Sequence, residues 1–363
     1  MTATTIIEAD GAVREVEQAL EPDLPIVDPH HHLWAVSRAV RAGRSLADPD
    51  LTGFERQNIR RTRYLLDDLL ADMAGDHNVR STVFVQCHAM NNIDVGADLA
   101  PVGETEFVNG IAAMSASGLY GPARIAAGIV GFAELRLGAR VREVLEAHIR
   151  AGNGRFRGVR HMTAWDEDRS ILGMLSETSP HQLLDPRFRA GFAQLAPLGL
   201  TFDAWLLAPQ LDDVVDLAKA FPDTQIVLDH CGTPPGVGRY AGRRDEVFAQ
   251  WAASLRAVGE RPNIAVKIGG LGMECLGFGT ESRRQGASSP ELAKLWRPYV
   301  ETCVEAFGAD RAMFESNFPI DGGSCSYATL WNAFKRITAG ASADEKAALY
   351  AGTARRVYRI DPR

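Results

Sequence analysis

Short apolar runs rich in β-branched residues recur along this chain, and most are separated by longer stretches with apolar residues at i, i+3 and i+4. Eight runs stand out: LPIVD (24–28), RSTVFVQ (80–86), RIAAGIVGF (124–132), FRGVRH (156–161), LTFDAWLL (200–207), TQIVLDH (224–230), NIAVKIGG (263–270) and RAMFES (311–316). Runs of this length and composition predict strands. The stretches between them, such as RVREVLEAHIR, PQLDDVVDLAKAF and ELAKLWRPYVETCVEAF, predict amphipathic helices. Strand and helix in alternation predict a parallel sheet of the α/β class.

Eight strands fit a closed (β/α)8 TIM barrel in a single domain better than an open sheet, and the placement of unusual residues decides between them. His30, His32, Gln86, His88, Arg160, His161, His230, Lys267, Glu315 and Asn317 all fall at or near the C-terminal ends of predicted strands. A barrel brings those ends to one mouth, where barrel enzymes do their chemistry. The predicted organisation is an N-terminal extension over 1–23 and a barrel over 24–360. Long βα loops at the mouth are expected at 35–63, 162–185, 231–244 and 271–289.

The bulk composition narrows the partner. The chain has 363 residues, 46% of them hydrophobic and 23% charged, and a net charge of −7. That balance offers no general attraction to nucleic acid, so a small-molecule partner is expected. Within it, 35–63 is locally basic, with seven arginines against three carboxylates. A basic lid of this kind would draw in an anionic, carboxylated substrate. No stretch approaches 18 uncharged apolar residues and the acidic N-terminus lacks a secretory pattern, so no membrane contact is expected and the expected location is cytoplasmic. The five cysteines are scattered, never spaced C-x-x-C, and predict neither a disulfide framework nor a zinc knuckle. A homo-oligomer is compatible with all of this.

DPHHHLW (28–34) places three of the nine histidines side by side. Alternation along a strand puts His30 and His32 on one face and His31 on the other. Two imidazoles rooted about 7 Å apart can converge on one metal ion at about 2 Å, or on one substrate oxygen. Glu315 shares strand parity with Asn317, so both are expected to face the interior. Arg160 can fork onto a carboxylate. Gln86, His88, His161, Trp165, Asp203 and Lys267 are expected to line or floor a substrate pocket, and Asp321 is a further candidate carboxylate.

VDPHHHLW, VLDHCGTPP, VKIGGL and RAMFESNFPID, in that order, resemble the amidohydrolase superfamily. Within it they resemble the branch that includes L-fuconolactonase, sulfomuconolactone hydrolase and 2-pyrone-4,6-dicarboxylate lactonase. The resemblance implies a distorted barrel and hydrolysis of a C–O or C–N bond by water. It implies metal ligation by His30 and His32, a role for His230 in activating water or polarising the scissile carbonyl, and substrate contact by Arg160 and His161. Two departures stand out: strand five offers no histidine, and Glu315-Ser316-Asn317 replaces the usual Gly-Ser-Asp after strand eight. A neutral carboxamide is a poor base and a poor ligand for a divalent cation, so Glu315 is the candidate replacement carboxylate. One divalent metal, zinc by ligand type, or no metal at all are both left open. The expected activity is a lactonase on a carboxylated cyclic ester, using His230, Glu315, Asn317 and Asp321. The alternative is a decarboxylase or hydratase on the same barrel.

Overall fold

The computed structural model describes residues 4–7, 13–36, 62–172, 178–281, 283 and 286–361. The basic segment 35–63 therefore lies, from 37 to 61, outside the described residues. All eight apolar runs contain strands: β1 (Ile26–His31), β2 (Val79–Val85), β3 (Arg124–Gly131), β4 (Phe156–Met162), β5 (Thr201–Trp205), β6 (Ile226–Leu228), β7 (Ile264–Ile268) and β8 (Ala312–Phe314). They form one sheet in sequential order, with every neighbouring pair parallel. A helix follows each strand: α1 (Leu66–Met73), α2 (Val102–Ala116), α3 (Val141–Ala151), α4 (Pro186–Phe192), α5 (Leu211–Ala220), α6 (Arg244–Gly259), α7 (Ser289–Phe307) and α8 (Tyr327–Ile337). Two small antiparallel pairs flank the barrel, Thr4–Ile7 with Val13–Val16 and Trp34–Ala35 with Arg63–Tyr64.

Alternation along the strands sorts their residues into two cores. Phe84, Ile129, Val159, Phe202, Ile264 and Phe314 pack with helix residues such as Leu145, Leu217, Trp251 and Trp331. Val27, Val83, Val130, Val227, Ala265 and Met313 face inward and meet Ala354, Val357 and Tyr358 of the last helix, Thr353–Tyr358. That helix plugs the barrel end opposite the mouth.

The register of β1 slips between Asp28 and His31. A slip of this kind moves later side chains to the other face. Val27 and His30 consequently both belong to the interior, while His31 packs outward with its Nε2 2.8 Å from Thr82 Oγ1.

The sheet closes where β1 meets the chain after β8. Asn317 N–H donates to His30 O (2.9 Å), His32 N–H donates to Phe318 O (2.8 Å), and His31 pairs with Phe318. Asp28 clasps this seam. Its Oδ1 accepts from Ser316 N–H (2.9 Å), and its Oδ2 accepts from Ser316 Oγ (2.6 Å) and Tyr327 OH (3.0 Å). Burial pushes Asp28 up to about 6 while these donors hold it down, so it is ionised at neutral pH. Replacing Asp28 with alanine strands several buried donors and should cost at least about 3 kcal/mol. Thermal unfolding checks this: a fall in Tm of at least about 5 °C is expected, and an unchanged Tm would show that the clasp does not hold the seam.

Candidate active site

Three side chains from three strand ends meet at the mouth. His30 comes from β1, His230 follows β6, and Glu315 follows β8 on the same face as Met313. Glu315 Oε1 accepts the Nδ1–H of His230 at 2.6 Å and its backbone N–H at 3.2 Å. Glu315 Oε2 lies 2.7 Å from His30 Nδ1. The rings of His30 and His230 are 4.6 Å apart, centre to centre. One carboxylate thus spans two imidazoles, and all three groups are buried.

The local sequence builds this arrangement. His230 and Cys231 both have φ of 55°, a left-handed turn straight after β6 that few side chains adopt without a compensating contact. The Gly269-Gly270 pair after β7 supplies the space. A side chain at Gly269 would run into Glu315, and one at Gly270 would come within 2.6 Å of the His230 ring. The glycines of VKIGGL therefore serve the site through what they leave out.

Beneath the triad lies a fully buried layer of charge. Lys267 Nζ is 2.6 Å from Asp203 Oδ2, 3.1 Å from Asp229 Oδ1 and 3.3 Å from His30 Nδ1. Tyr358 from the terminal helix donates to Asp203 at 2.6 Å. Burial pushes Glu315 up to about 8, with Lys267 opposing, and Asp229 up to about 6. Burial also drives His230 down to about 3 and His30 well below its usual range, so both rings are neutral at physiological pH.

Arg160, from β4, stands over the triad. Its Nη2 donates to Gln86 O, and its Nη1 is 3.5 Å from His30 Nε2. Its Nε has no partner, and no carboxylate within 4.0 Å pairs with it among the described residues. Trp205, inward-facing on β5, packs its ring 6.2 Å from His230 and 5.8 Å from the Arg160 guanidinium; its buried Nε1 is likewise without a partner.

Several expected residues stand elsewhere. The expected metal pair, His30 and His32, stands side by side with ring centres 4.9 Å apart. The group with donors all within 4.8 Å of one another is His30, His230 and Glu315, whereas His32 Nδ1–H donates to Val85 O (2.7 Å) and its ring meets His30 edge-on. Asn317 leaves the strand at φ 53° and turns its Nδ2 onto Asp321 Oδ1 (2.9 Å), while Asp321 Oδ2 accepts from Gly272 N–H (2.9 Å). The two brace the loops after β7 and β8 and stay outside the triad. Asp203 and Lys267 are buried in the charge layer with no exposed surface for substrate. His161 alternates outward from Arg160, accepts from Gln182 at 3.0 Å and packs against Phe132 and Phe188. Gln86 is buried, its Oε1 accepting from His88 N–H, and His88 rests on Phe132 at the rim. Trp165 is half-buried, its backbone N–H held by Gln210.

Asp229 and Trp205 went unread in the sequence. Both had a signal: Trp205 shares parity with Asp203, and Asp229 precedes His230 on a short strand whose Val227 faces inward.

The triad's donor set is two imidazole nitrogens and a carboxylate, the set that divalent zinc takes in catalytic sites. Glu315 Oε2 faces His30 Nδ1 and Asp229 Oδ1 faces Lys267 Nζ, while Asp229 Oδ2 is buried with no hydrogen bond among the described residues. Those observations fit a cation bound at His30, His230 and Glu315.

Among known proteins, the Amidohydrolase family model matches residues 27–360. The uncharacterized protein y4mH of Sinorhizobium fredii is 34% identical over 93% of this chain and 99% of its own. L-fucono-1,5-lactonase of Burkholderia multivorans is 29% identical over 66% of this chain and 73% of its own. An amidohydrolase of Burkholderia multivorans, crystallised with bound zinc, superposes with a TM-score of 0.68 at 25% identity, covering 93% of this chain and 99% of its own. No helix among the described residues is long and apolar enough to cross a membrane. With the family model spanning the whole barrel and histidines and a carboxylate gathered at its mouth, the chain belongs to the amidohydrolase family and is a hydrolase.

Proposed function

We propose that the enzyme opens a small cyclic ester carrying a carboxylate, with water attacking the lactone carbonyl beside His230. The observation that carries this reading is the His230–Glu315 contact. Glu315 Oε1 accepts the hydrogen bond from His230 Nδ1–H at 2.6 Å, which leaves His230 Nε2 as a bare acceptor, and His230 keeps 2% exposure where His30 and Glu315 have none. A neutral imidazole oriented through its other nitrogen is the arrangement of a general base.

In the proposed reaction His230 Nε2 takes a proton from the attacking water as the new C–O bond forms. The same proton then passes to the ring oxygen as the ester C–O bond breaks, giving a hydroxy acid. Arg160, buried without an anion of its own, binds the substrate carboxylate, since a buried cation left unpaired is costly. The Trp205 indole N–H is placed to share that group. Lys267 balances Asp203 and Asp229 and keeps Glu315 from a higher proton affinity. A divalent ion held by His30, His230 and Glu315 would take the place of the His230 Nδ1 proton, leave Nε2 free as the base, and supply Lewis-acid polarisation of the ester carbonyl. The relatives named as L-fucono-1,5-lactonases support ester-ring opening as the reaction class.

The reaction is tested on a panel of carboxylated and neutral lactones, with products identified by NMR. Ring-opened hydroxy acid containing one solvent oxygen is expected, with kcat/KM falling at least about 100-fold in His230→Asn. Carbon dioxide release, or water addition without ring opening, would replace the hydrolase reading with a lyase.

Zinc binding has its own readout. Equilibrium dialysis is expected to give one ion per chain. His230→Asn should weaken binding by more than the about 10–100-fold typical of outer-sphere changes, and His32→Asn by no more than that. Equal losses in the two variants would return the metal to the His30–His32 pair.

A further inference from the structure

At the barrel end opposite the mouth, a cavity of about 260 Å³ opens among the starts of β2, β3 and β4 and the residues after the terminal helix. Four guanidinium groups line it: Arg124 opens β3, Arg155 and Arg157 flank the first residue of β4, and Arg359 follows Tyr358. Ser81 and Asp361 complete its polar wall. None of the four arginines has a carboxylate within 4.0 Å among the described residues. What three of them bind holds only one edge of each group: Arg157 Nη1 donates to Gly154 O (2.6 Å), Arg155 Nη1 to Asn109 Oδ1 (2.6 Å) and Arg124 Nη1 to Pro122 O (3.1 Å). Arg157 Nε is buried with no partner at all. Burial and the charges of Arg359 and Arg155 all disfavour the charged form of Arg157.

Four cations and a single carboxylate, Asp361, gathered in one concavity of a chain of net charge −7 are a local excess of positive charge among the described residues. We propose that this cavity binds a small multivalent oxyanion of the phosphate class. Guanidinium groups match such oxygens in paired, planar hydrogen bonds. The volume lies below the about 300–1,000 Å³ of pockets for drug-sized ligands and suits a small ion. The site is separate from the mouth, yet Arg359 adjoins Tyr358, whose hydroxyl holds Asp203 beneath the triad. An ion bound here fixes the segment that supports the floor of the active site.

Isothermal titration of the full chain with pyrophosphate at constant ionic strength tests this. One saturable site with a Kd below about 1 mM is expected, together with a rise in Tm under the same titration. Arg157→Gln and Arg359→Gln should each weaken binding at least about tenfold, while Arg256→Gln, a surface arginine on α6, and Arg160→Gln at the mouth leave it within about twofold. Absence of saturable binding would overturn the proposal. So would equal weakening by Arg256→Gln, which would mean non-specific attraction, or loss only in Arg160→Gln, which would place the ion at the mouth.

Discussion

The structure depends on the closure of the barrel between its first and last strands. That seam is made by few hydrogen bonds, because β8 has only three residues and the pairing runs on into the chain after it. A buried carboxylate, Asp28, reinforces it by taking both the backbone and the hydroxyl of Ser316. The same seam delivers the chemistry. His30 lies two residues after Asp28, and Glu315 lies one residue before Ser316, so the contact that closes the sheet also sets these two side chains 2.7 Å apart. Fold and site share one constraint.

The site relocates a charge. A family pattern of Gly-Ser-Asp would put the carboxylate at position 317, but here that position is an amide that braces Asp321, and the carboxylate stands at 315, one step deeper. From there it reaches both His30 and His230, and it sits directly above Lys267. Burying so many ionisable groups is costly unless each has a partner. The layer meets that requirement by alternation: Tyr358, Asp203, Lys267, Asp229 and the histidines form a connected chain from the plugged end to the mouth. Arg160 touches that network only through His30 and has no carboxylate paired with it among the described residues, which is why it is the group assigned to an anionic substrate.

Much of this was legible in the sequence. The eight strand runs and the convergence of polar residues at one end follow from periodicity and from strand-end position, both of which are local. Parity placed Glu315 inward and His31 outward. It also held the answer for His161, which must face away from the barrel if Arg160 faces in. What could not be read were the departures from regularity: the slip in β1 that lets Val27 and His30 share the interior, the left-handed turn at His230, and the point where the chain leaves β8, which takes Asn317 off the face that parity gives it. Each depends on tertiary contacts between distant segments. The role of Gly269 and Gly270 was hidden for the same reason, since only the folded neighbours show what a side chain there would strike.

The central claim is that Glu315, through its hold on both histidines, is the group that makes this mouth hydrolytic. Glu315→Gln keeps the volume and puts an amide where the carboxyl faces both imidazoles. Measured on a ring-opening substrate alongside thermal unfolding, the variant should lose at least about 100-fold in kcat/KM with Tm lowered by no more than about 2 °C, because burial already disfavours the ionised carboxylate. Activity within about fivefold of the parent would contradict the account and leave the histidines to work without it.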